Sequence, residues 1–274
     1  MMPDRQVSTT VNPMFAEKRD PSGSPDENLG RWILGGVVLL VLAAGGWYWQ
    51  KHRSDKAEAP VLAAKAPAAA EGKVKNPIVA PDDIDPNLSA TEQVATLIGT
   101  PRFEALFVPD DFVKKVVATV DSLARQDVAA RMNPARPPAG TFATAGEGDA
   151  LVLGAANFSR YGPWVEMVDS LDADATAALY KQLYPQFQAA YENLGNPDSY
   201  FNDRVIEVID HLLSAPEGPA TIALARPNVL YEFADPALEA QSAGRKLLLR
   251  MGPGNAARVK AKLREVRERI AARR

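Results

Sequence analysis

The chain has 274 residues, 46% apolar and 24% charged, with a net charge of −3 and no cysteine. That composition supports a folded core, and the lack of cysteine excludes disulfides, zinc–thiolate sites and thiol nucleophiles together. The small net charge hides a polarity, since residues 82–241 carry 24 acidic against 10 basic side chains while residues 242–274 carry 2 against 11.

Residues 1–30 are polar, with scattered Pro, Ser, Asp and Asn and no apolar periodicity, and read as a disordered tail. Trp32 to Trp49, WILGGVVLLVLAAGGWYW, is an uncharged run of eighteen residues closed by Arg31 and Lys51. As a helix it is roughly 27 Å long, enough to cross a ~30 Å hydrocarbon core once. Trp32 at one border and Trp47, Tyr48 and Trp49 at the other suit headgroup level, so residues 31–50 are read as a transmembrane helix in the lipid bilayer. The run ends in aromatics rather than a small-x-small cleavage site, which argues for a retained anchor. Residues 51–83 are rich in Ala, Pro and Lys and read as a flexible linker. Flanking cations nearly tie, with Lys18, Arg19 and Arg31 against Lys51, Arg53, Lys56 and Lys65. The tether composition favours a single-pass inner-membrane protein with a periplasmic C-terminal domain.

That domain, residues 84–274, reads as mainly α: an irregular multi-helix bundle with one or two minor β-hairpins. Ser89-Ala-Thr-Glu92 is a capping-box pattern that starts a helix. Pro101–Phe107 forms a short helix, and Pro109 to about Ala124 a longer one with Asp110 and Asp111 in its first turn. RMNPARPPAG then interrupts, and Phe142–Ala145 and Ala150–Leu153 are spaced to pair as a hairpin. Helices resume near Asn157 and over Asp172–Leu194, where a kink is expected at Pro185 and a stop at Gly195. The next helix, capped by Asp198 or Ser199, buries Val205, Val208, Ile209, Leu212 and Leu213 and gathers Asp203, Glu207, Asp210 and His211 on another face. Thr221–Ala225 and Val229–Phe233 read as a second hairpin or an extended arm, and Asp235 opens a further helix. Gly244-Arg-Lys-Leu lacks the glycine spacing and preceding strand of a phosphate loop. The last helix, about Asn255–Ala272, carries a narrow apolar seam of Val259, Leu263, Val266 and Ile270. Its flanking cations admit anionic lipid, nucleic acid or an acidic protein surface; docking in cis on the acidic body is the favoured reading, and nucleic acid is disfavoured because that body repels phosphate.

LYKQLYPQFQAAYENLG, YFNDRVIEVIDHLL, LYEFADPALEAQSAGRKLLLRMGP and NAARVKAKLREVR together resemble the bacterial domain-of-unknown-function family 3014, from about Phe103 to Val266. The resemblance implies a membrane-anchored envelope protein of Gram-negative bacteria and supplies no catalytic residues.

No catalytic, metal or cofactor motif is legible: His211 is the lone histidine of the domain, and no GxSxG elbow accompanies it. The leading reading is therefore a tethered envelope binding or scaffolding module whose partner is an envelope protein or the cell wall. The candidate binding residues are Tyr200, Asn202, Asp203, Arg204, Glu207, Asp210 and His211. The competing reading is an enzyme acting on an envelope component through that polar face, which requires those side chains to converge in one concave pocket.

Overall fold

The computed structural model describes residues 74–81, 87–126, 130–227 and 230–272. Among them are ten α-helices: α1 (Ala90–Ile98), α2 (Thr100–Leu106), α3 (Phe112–Ser122), α4 (Ala156–Arg160), α5 (Gly162–Ser170), α6 (Ala173–Asn193), α7 (Phe201–Leu213), α8 (Pro236–Glu239), α9 (Ala243–Arg250) and α10 (Pro253–Ile270). Two antiparallel hairpins complete the fold, β1 (Thr144–Ala145) with β2 (Val152–Leu153) and β3 (Leu224–Ala225) with β4 (Glu232–Phe233). No described helix is long and apolar enough to cross a membrane; the run Trp32–Trp49, the tail 1–30 and most of the expected linker lie outside the described residues.

Helix α10 organises the bundle. Its seam residues Val259, Leu263, Val266 and Ile270 are all buried against α5, α6 and α7. Its cations then dock in cis on the acidic body, Arg267 on Asp210 at 2.9 Å, Arg269 on Asp174 at 2.6 Å, and Arg258 on Asp169. Two lysines reach further and close helix ends: Lys262 Nζ donates to the Leu171 carbonyl after α5 at 2.8 Å, and Lys260 Nζ to the Ala215 carbonyl after α7 at 2.7 Å. Cations at helix C-termini oppose the negative end of the helix dipole and satisfy carbonyls the helix itself cannot.

Three local expectations are corrected. Asp110 and Asp111 lie in a turn before α3 rather than in its first turn; Asp111 adopts φ 51° and its side chain accepts no capping N–H. The turn brings Phe112 onto Phe103 and Phe107, at ring-centroid distances of 5.4 and 5.9 Å, so aromatic packing overrides the local capping signal. Neither Asp198 nor Ser199 caps α7, whose N-cap is Tyr200 without a side-chain bond. Helix α6 supplies the cap instead: Gln188 Oε1 accepts from Phe201 N–H at 2.8 Å and the Tyr184 hydroxyl from Asn202 N–H at 3.3 Å. Finally, the expected linker does not run free to residue 83. Residues 74–81 form a strap lying on α7, with Ile78 packed against the main core.

The hairpins join into one small four-stranded arrangement. Leu153 N–H donates to the Ile222 carbonyl at 2.9 Å and Leu224 N–H to the Leu151 carbonyl at 2.8 Å, which places β2 beside β3. Beneath them Leu153, Ile222, Leu224, Phe233 and Leu249 form a separate apolar cluster. Fully buried Asn157 pairs with both backbone groups of Ala143, acting as one more strand neighbour.

Candidate functional site

The seven residues singled out in the sequence sit on or just before α7, and the structure joins six of them to other parts of the same chain, while Glu207 pairs with Arg204 on the same helix. Arg204 lies between α7 and α3: its Nε donates to Asp121 Oδ1 at 2.8 Å, its Nη2 to the Asp121 carbonyl at 2.7 Å, and its Nη1 pairs with Glu207 at 2.8 Å. The guanidinium thus closes the C-terminal turn of α3. Burial opposes its charge, but Glu207 and Asp121 outweigh burial and raise its pKa above the ordinary arginine value. Asp210 holds Arg267 of α10, and the bond from Asp210 raises the Arg267 pKa.

His211 meets Ser242, Nε2 to Oγ, at 2.7 Å, a contact the sequence reading missed because 31 residues separate the two. Serine beside histidine is the geometry of an activated nucleophile. Here it is a helix cap. The Ser242 hydroxyl accepts Arg245 N–H at the start of α9, and Ser242 itself is buried. The donors an oxyanion needs are engaged too, since Ala243 N–H donates to the Arg125 carbonyl at 2.7 Å and Gly244 N–H to the Leu123 carbonyl at 3.0 Å. Burial first, then the Arg245 and Arg204 charges, lower the His211 pKa and keep the ring neutral at pH 7.

Gly244, which gave the false echo of a phosphate loop, has a different task. A Cβ there would meet Leu212 Cδ2 at 2.5 Å and the Leu123 carbonyl oxygen at 3.0 Å, so only glycine allows α9 this close to α3 and α7.

The N-terminal third of the face differs, because what it holds is the strap. Asp203 accepts three hydrogen bonds from it: Lys75 N–H at 2.9 Å, Asn76 N–H at 2.7 Å and Asn76 Nδ2 at 3.0 Å. Asn202, fully buried, donates to the Asn76 carbonyl and to the Ile270 carbonyl, each at 2.9 Å, and the Tyr200 hydroxyl accepts Ile78 N–H at 2.7 Å. Asn76 Oδ1 in turn accepts Ala272 N–H at 3.1 Å, which ties the strap to the end of α10. Below lie Tyr180 and Tyr184, whose phenols burial pushes well above the ordinary tyrosine value, so both stay protonated. The Tyr180 hydroxyl and Asn202 Oδ1 are buried without a hydrogen-bond partner.

A cavity of about 300 Å³ opens elsewhere, between the 216–222 loop, β2 and the α9–α10 junction, lined by Leu153, Ile222, Leu249 and Pro253 among others. Its ionisable lining residues are Glu217 and Lys260, and the Lys260 ammonium already serves the Ala215 carbonyl. Among the described residues, no group of three or more His, Asp or Glu is arranged to hold a metal ion.

Residues 112–267, more than half of the chain, match the family described as Protein of unknown function (DUF3014). The chain belongs to this family. The match begins at α3 and ends within α10, so it takes in the α3, α6, α7 and α10 packing and both hairpins, and it leaves the strap outside. No curated protein and no solved structure matches this DUF3014 member.

Proposed function

We propose that this DUF3014 protein is a membrane-anchored module of the cell envelope that binds or scaffolds rather than catalyses. In this reading the run Trp32–Trp49 is the bilayer span, the residues after Lys51 are the tether, and the helical domain stands in the periplasm of a Gram-negative cell, where an envelope protein or the cell wall is its partner. The observation that carries the reading is the use to which the polar face of α7 is put. Asp203, Arg204, Asp210 and His211 diverge toward four different elements, the strap, α3, α10 and α9, instead of converging on a substrate-sized space. The part of the face nearest the membrane-side segment grips that segment, which suits a domain positioned by its tether.

Topology tests the placement. Alkaline phosphatase and, separately, a fluorescent protein that matures only in the cytoplasm are fused after Arg274. Active phosphatase with a dark fluorophore is expected. An inactive phosphatase with a bright fluorophore would sink the periplasmic reading.

A further inference from the structure

The strap does more than end a linker, because it shows what the start of α7 is built to hold. Along residues 74–80 burial alternates: Val74, Asn76, Ile78 and Ala80 are half-buried while Lys75, Pro77 and Val79 are exposed, Val79 at 85%. The chain bends at Lys75 and Asn76 and runs on without a further bend to Pro81, keeping one side on the domain. The receiving groups follow the main chain: the Asp203 carboxylate takes two successive backbone N–H groups, the Asn202 amide takes the next carbonyl, and the Tyr200 hydroxyl takes the N–H two residues on. The skipped position is Pro77, which has no N–H to satisfy and whose fixed φ favours an extended chain. Side-chain selection falls on two inward positions. Asn76 bonds Asp203 and Ala272, and Ile78 packs against the core. Beneath lies the Asn202 carboxamide, fully buried, with its oxygen unpartnered.

We infer that the Tyr200–Asn202–Asp203 face is a peptide-binding site, occupied in cis by residues 75–78, and that it accepts in trans a segment bent at an asparagine that stands two residues before an aliphatic side chain. Main-chain hydrogen bonds give the grip and the Asn76 and Ile78 side chains the choice, as in other modes of peptide recognition. The strap rests on hydrogen bonds and one large apolar side chain, so it opens at lower free energy than the bundle beneath it. Because the strap rejoins the domain at α1, it competes at an effective concentration of order millimolar. A trans ligand therefore wins when it is locally abundant or when the strap is drawn away. The inference names the ligand class of the binding-module reading and rests on it, but not on the membrane placement, so the topology fusions and the following titration fail independently.

The probe is a capped, fluorescein-labelled peptide of residues 74–79, Val-Lys-Asn-Pro-Ile-Val, read by anisotropy against purified full-length chain. The double variant Asn76→Ala with Ile78→Ala releases the strap and is expected to bind the peptide one to one. Wild type binds it at least tenfold more weakly. Adding Asp203→Ala to the double variant, or replacing the peptide asparagine by alanine, each weakens binding at least tenfold. A folded double variant that leaves the peptide free, or that binds the alanine peptide equally well, overturns the inference. If the double variant unfolds, excess peptide is added to wild type and amide exchange at Ile78 is followed: acceleration supports displacement of the strap, and an unchanged rate overturns it.

Discussion

The helical bundle and the strand appendage are built from the same apolar residue types yet held differently. In the bundle, long-range polar bonds lie over a continuous core: cations of one helix close the carbonyl end of another, and Gln188 and Tyr184 of α6 cap α7. The appendage has two-residue strands, a five-member apolar cluster, and guanidinium–ring contacts such as Arg250 over Phe233 at 5.0 Å. The difference teaches that the bundle should unfold as a unit, while the hairpins open on their own at lower cost.

The largest break should come from the bundle seam. Leu263→Ala removes a side chain with no exposure and is expected to lower stability by about 3 kcal/mol, seen as a fall of roughly 6–12 °C in the thermal midpoint. Next comes Arg204→Ala, which leaves the Asp121 carbonyl without its donor and the Asp121 carboxylate with Arg125 alone; a loss of about 2 kcal/mol by urea denaturation is expected, with Arg204→Lys recovering only part. Phe233→Ala sharpens the contrast. It should cost about 1–2 kcal/mol, less than an ordinary buried phenylalanine, because its small cluster relaxes toward solvent. Hydrogen exchange should quicken at Leu153 and Leu224 and stay unchanged at Val208 and Leu263; equal quickening in α7 would show that the two regions are one cooperative unit.

The smallest effect is a pH dependence. The His211 pKa is lowered in the fold, so the unfolded chain binds the proton more readily. Its contribution to stability is complete above the unfolded value near 6.5 and is lost as pH falls from there through the folded value. His211→Gln should flatten that part of the stability profile, and a profile equally steep in the variant would falsify the assignment.

What was legible in the sequence was whatever a local pattern encodes. The spacing of Val259, Leu263, Val266 and Ile270 announced the buried seam, and the polarity of charge along the chain announced that the last helix docks on an acidic body. Ser89 read correctly as a helix cap, accepting a backbone N–H of the first turn. What was not legible depends on a distant element. No local signal marks Gln188 as the cap of a helix starting thirteen residues later, or Ser242 as the neighbour of His211. The strap was hidden for a compositional reason: Val-Lys-Asn-Pro-Ile-Val has too few large apolar groups to look folded, and it is ordered by Asp203, Asn202 and Tyr200 more than 120 residues away. The seven candidate residues were legible as a polar face, but the face is mostly a joint, with a receptor-like stretch only at its N-terminal end.

The position of α10 in the chain has a consequence for biogenesis. Of the described helices it is the last to be synthesised, yet it supplies the surface on which α5, α6 and α7 close. Until it arrives, the faces of those three helices that it covers stay open, and Asp169, Asp174 and Asp210 lack their guanidinium partners. The nascent domain therefore cannot close its core until nearly its whole length is made. The strap, made before any of these helices, bonds a residue made after all of them, since Asn76 Oδ1 accepts from Ala272 N–H.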